Sequence, residues 1–98
     1  MIDKIRSINM RAIVTVTGLD RVGIIAEICV LLAKYGVNIL DIRQTVMQEF
    51  FSMSMLVDIS GATAAYDELT TALSEKGKDM AMTIRIQRED IFYAMHRI

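Results

Sequence analysis

The chain has 98 residues, room for one domain, because halves of it would be too small to bury cores of their own. Eleven Lys and Arg against twelve Asp and Glu leave a net charge of −1, which argues against nucleic acid as the main partner, since proteins that track phosphate backbones carry a basic surplus. A hydrophobic fraction of 53% and a mean hydropathy of +0.37 are high for this size and leave apolar surface for a partner, a second copy first of all.

Met1 to Asn9 reads as a loose leader. "MRAIVTVT", Met10 to Thr17, is rich in Val, Ile and Thr and ends at Gly18, as a first strand does. From Gly23 to Tyr35, Ile25, Ile28, Cys29 and Leu32 recur at i, i+3, i+4 and i+7, and Gly36 stands where a left-handed helix end would sit. "VNILDIRQTVMQ", Val37 to Gln48, and "FSMSMLVDIS", Phe51 to Ser60, follow as two strands of a hairpin that turns at Glu49 and Phe50. In the second of them Phe51, Met53, Met55, Val57 and Ile59 share one face.

After Gly61, the residues Ala62, Ala65, Tyr66, Leu69, Ala72 and Leu73 fall at helical spacing up to Gly77. Met80, Met82, Ile84 and Ile86 alternate as a fourth strand, and residues 89–98 form a short helical tail with Ile91, Met95 and Ile98 on one side. Strand, helix, strand, strand, helix, strand is the order of an α+β, ferredoxin-like βαββαβ sandwich. The expected architecture over residues 1–98 is a single domain: a four-stranded antiparallel sheet with both helices on one face, because right-handed crossovers carry the chain over the same side twice. The open face and the sheet edges are left for partners.

No apolar run approaches the roughly 20 residues of a membrane helix. No secretory leader pattern starts the chain, and the one cysteine, Cys29, has no partner for an internal disulfide. A cytoplasmic protein with no membrane association is the simplest reading.

Gly18 and Gly23 frame a G-x-x-x-x-G loop, but Ile24 and Ile25 occupy the places where a phosphate cradle needs Lys and then Ser or Thr. The G-x-G-x-x-G fingerprint is also missing, so no nucleotide cofactor is expected. What remains is a helix start whose first N–H groups lack partners inside the helix and suit a small anion or carboxylate. Asp20 can cap that helix or accept a ligand ammonium. Arg21 reads as the solvated charge of the loop. Asn38 can bond either the preceding loop or a ligand, and Asp41 lies near that same end.

Catalysis has little to draw on: His96 is the sole histidine, and Cys29 sits on an apolar helix stripe where a thiol is inert. No H-E-x-x-H, C-x-x-C or Ser-His-Asp set can be assembled. Met47, Met53, Met55, Met80 and Met82 fall at strand period, which reads as core filling rather than a metal site. Phe50 and Phe51 are neighbours and so point to opposite faces, which argues against a base-stacking platform.

Three stretches together, "TVTGLDRVGIIAEI", "KYGVNILDIRQTV" and "MTIRIQREDIFYAMHRI", resemble the small stand-alone ACT domain proteins of the UPF0237 family, and more distantly the ACT domains of the glycine-cleavage repressor and of formyltetrahydrofolate deformylase. The resemblance spans Arg11 to Ile98, with Val22 where the family usually carries proline. It implies domains that pair side by side and hold small effectors, often amino acids, between the first loop of one copy and the second strand of its neighbour. The ligand-contact residues it implies are Asp20, Gly23 and Ile24 in the loop and Asn38 with Asp41 on the strand. The expected protein is thus a non-catalytic, small-molecule-sensing homodimer without cofactor or metal, pairing through residues 39–48, with Val30 or Leu31 adding contacts. The alternative is a protein-interaction subunit with a vestigial ligand site.

Overall fold

The computed structural model describes residues 10–90; the leader 1–9 and most of the expected helical tail lie outside them, with only Glu89 and Asp90 seen as helical. Six elements occur in the expected order: β1 (Arg11–Leu19), α1 (Ile24–Lys34), β2 (Asn38–Met47), β3 (Phe50–Asp58), α2 (Tyr66–Met80) and β4 (Met82–Arg88). The sheet order is β2-β3-β1-β4, with all three pairings antiparallel, so β2 and β4 are its edges.

Alternation decides which side of each strand is buried. Ala12, Val14 and Val16 of β1, Met53, Met55 and Val57 of β3, and Ile84 and Ile86 of β4 form one apolar face. Onto it pack Ile24, Ile28 and Leu32 of α1 and Leu69, Leu73 and Met80 of α2. Each such side chain contributes about 1.5–3 kcal/mol by leaving water. Cys29 and Ile25 are only half-buried, so the α1 stripe is centred one residue earlier than the periodicity predicts. The opposite sheet face is polar around Thr15, Thr17, Ser52 and Ser54, with Ile13 and Leu56 toward one end and the exposed Leu19, Met47 and Phe50 at the other.

Several boundaries differ from expectation. β1 does not stop at Thr17 but continues through Gly18, which pairs with both Phe51 and Met82; a Cβ there would lie 2.6 Å from Met82 Sδ, so the missing side chain makes room for that thioether. The hairpin turns at Gln48 and Glu49 rather than at Glu49 and Phe50, since Met47 pairs with Phe50, and Gln48 takes a positive φ of 57°. The second helix begins at Tyr66 and runs through Gly77 to Met80, ending where Ala81 turns left-handed. Gly77 is therefore no stop signal: a Cβ on it would stand 2.7 Å from the Met82 carbonyl oxygen, so glycine lets α2 lie directly against β4. Met80 consequently belongs to the helix, not to the fourth strand. Of the methionines read as core, Met53, Met55, Met80 and Met82 are buried, whereas Met47 is exposed at the hairpin end.

Candidate functional site

The loop between β1 and α1 ends in Gly23, whose φ of 91° lies in the left-handed region that glycine alone adopts freely. That turn sets the axis of α1 and leaves its first turn uncapped: no side chain among the described residues bonds the helix start, and the Gly23 carbonyl accepts from Glu27 N at 3.0 Å. The N–H groups of residues 24–26 therefore lack intrahelical partners and carry the positive end of the helix dipole. They open onto a hollow of about 600 Å³. The loop residues Asp20, Arg21 and Gly23 line one side of it and Gln44 and Val46 of β2 the other, with buried Phe51 between.

Asp20 N donates to the Glu49 carbonyl at 2.7 Å, which pins the loop to the hairpin tip. Its carboxylate takes no part in capping α1 and has no hydrogen bond or ion pair among the described residues. Arg21, read as a solvated charge, is instead held: one guanidinium nitrogen donates to Glu27 Oε2 at 2.8 Å and another to the Val22 carbonyl at 3.1 Å. Lys76 of α2 approaches Glu27 Oε1 at 3.2 Å, so Glu27 is shared by two cations. Hydrogen bonds from Arg21 and then Lys76 hold its carboxyl below the usual carboxylate value of 4.5.

Of the five residues expected to contact a ligand, Asp20, Gly23 and Ile24 line this hollow. The Ile24 side chain is 2% exposed and belongs to the core, so only its backbone is available to a ligand. Asn38 and Asp41 lie elsewhere. β2 runs parallel to β1 in space because both pair antiparallel with β3, which puts Asn38 beside Asp58 and Arg11 at the far end of the sheet. From Asn38 to the hairpin tip the strand extends roughly 30 Å. Asp41 follows a bulge, accepts a hydrogen bond from Ile42 N at 2.9 Å, and lines a separate hollow of about 210 Å³ beside Ile13 and Arg43. Gln44, Val46 and Phe51 are the site residues that sequence reasoning missed; the strand directions alone could have found them.

Among the described residues no group of three His, Cys, Asp or Glu side chains could hold a metal ion, and no helix is long and apolar enough to cross a membrane.

The ACT domain family model matches residues 11–87. A UPF0237 protein of Clostridium acetobutylicum is 51% identical over 89 residues, covering 91% of this chain and all of its own. An ACT domain protein from Streptococcus pneumoniae superposes with a TM-score of 0.75 at 37% identity, over 85% of this chain and 93% of that one. A formyltetrahydrofolate deformylase from Pseudomonas syringae shares the fold alone: the TM-score is 0.73 at 20% identity, over 87% of this chain but only 30% of the deformylase.

Proposed function

The chain belongs to the ACT domain family, in its UPF0237 branch, and from that premise we propose that it is a cytoplasmic sensor that binds an amino acid or similar small carboxylate between two copies of itself. ACT domains are regulatory rather than catalytic units, and this module does no chemistry on what it binds. The observation that carries the reading is the uncapped start of α1 opening beside the unpaired Asp20 carboxylate in one hollow. Backbone N–H groups at a helix start suit a carboxylate. Asp20, a few residues away, suits an ammonium, so the two poles of an amino acid each have a counterpart.

The Gln44 and Val46 wall of that hollow stands on a sheet edge. An edge strand presents unpaired backbone groups that a second strand can extend, and Leu40, Val46 and Met47 add exposed apolar surface along β2. If two copies of β2 pair antiparallel about a two-fold axis, the start of one lies beside the end of the other. Asn38 and Asp41 of a second copy then approach the wall that their own loop cannot reach. This arrangement accounts for why the five expected contacts do not assemble within one chain.

Thermal shift against the amino acids and common anions tests the proposal, because a ligand that binds only the folded state raises the melting temperature. Asp20→Ala and Asn38→Ala are each expected to reduce the response; if both keep it in full, the site assignment is wrong. The second reading, a protein-interaction subunit with a vestigial site, draws on the apolar rim of Leu19, Val22, Met47 and Phe50 at this corner, with Val22 95% exposed. A flat response to every small molecule favours that reading.

A further inference from the structure

Arg21 is adjacent in sequence to Asp20, yet the guanidinium pairs with Glu27 and leaves the Asp20 carboxylate without a partner. Its second anchor, on the Val22 carbonyl, turns it the same way. Glu27 receives Arg21 on one oxygen and Lys76 on the other, so α2 also helps to fix the acceptor. We infer that Glu27 is a positioning residue that sets ligand charge selectivity in the proposed site: by sequestering Arg21 it keeps Asp20 free for an ammonium group. The inference rests on the amino-acid-binding reading given above.

The charge arithmetic points the same way. Arg21, Lys76 and Glu27 together carry +1 and Asp20 carries −1, so these four side chains sum to zero, a balance that suits a zwitterion. Glu27→Gln raises that sum to +1 and takes away the ion pair that holds Arg21, leaving the guanidinium for Asp20, its neighbour in sequence, or for the carboxylate of the ligand itself. Both choices act in one direction. An arginine on Asp20 competes with the ligand amine, and an arginine on the ligand carboxylate favours acids that lack an amine.

Calorimetric titration of wild type and Glu27→Gln with glycine and acetate, and with alanine and propionate, reads this directly. The measured quantity is the preference for each amino acid over its amine-free counterpart. Exposed ion pairs are weak, so the variant is expected to lower that preference on the order of threefold to fivefold. In an Arg21→Gln background, Glu27→Gln is expected to change it no further, because the effect runs through the guanidinium. An unchanged preference in Glu27→Gln, or an equal fall in the Arg21→Gln background, overturns the role assigned to Glu27 while leaving amino-acid binding intact. If wild type binds neither the amino acids nor the acids, the sensing proposal itself fails, and the selectivity role falls with it.

Discussion

Gly77→Ala tests the close approach of α2 to β4. In an exposed helix the change would stabilise by about 1 kcal/mol through propensity alone. Here the added Cβ would stand 2.7 Å from the Met82 carbonyl oxygen and 3.3 Å from both Ile84 N and Ile84 Cγ1, and two of those three atoms are backbone. A rotamer change cannot relieve a clash with backbone, so α2 must move off the sheet as a unit. Overpacking costs about 1–3 kcal/mol, and contact with backbone puts this case at the upper end. The difference is a net loss of about 2 kcal/mol, which for a domain of this size lowers Tm by roughly 8–16 °C. Scanning calorimetry on the two proteins measures it. A melting temperature equal to or above that of wild type would show that α2 does not need glycine here, and the packing argument would fall.

Tyr66→Phe removes the hydroxyl that donates to the Ile86 carbonyl at 3.0 Å and is expected to cost about 0.5–1.5 kcal/mol in urea denaturation. Burial raises the Tyr66 phenol above its usual 10.0, so ultraviolet titration of the folded protein should show a late-ionising tyrosine that this variant lacks. The Glu27 carboxyl is held below 4.5, so its pairing stabilises the fold fully above that value and is lost as pH falls through the depressed one. The stability difference between wild type and Glu27→Gln should therefore shrink as pH is lowered into that range. Leu40→Lys, at an exposed position of the β2 edge, is expected to shift sedimentation from dimer to monomer with little change in the shape of the folded chain.

Strand faces were legible because period-two alternation survives wherever one side of a sheet is buried, as Met53, Met55 and Val57 show. Glycine was the ambiguous letter. At Gly23 and Gly36 it marks left-handed turns at the two ends of α1, as its local context suggests, but at Gly18 and Gly77 it makes space for a neighbour distant in sequence. The positive φ at Gln48 has no residue signature at all, so the hairpin register slipped by one. Within the site, the loop could be read from its glycines, but its opposite wall required the direction of β2 relative to β1. The Arg21 to Glu27 pair leaves the helix and so escapes i,i+4 reasoning, and Lys76 reaches Glu27 from the other helix. The resemblance implies that Asn38 faces the loop of a neighbouring copy, and within one chain Asn38 stands at the far end of the sheet from that loop.

A ligand site built from two chains is tested most directly by mixing two impaired variants. Asp20→Ala lacks the loop contact and Asn38→Ala the strand contact, so each alone should give a reduced thermal response to the amino acid that shifts wild type most. When the two are unfolded together and refolded as mixed dimers, one site in each mixed pair regains both residues, and the response should recover above that of either variant. A mixture that responds no better than the separate variants would contradict a site shared across β2.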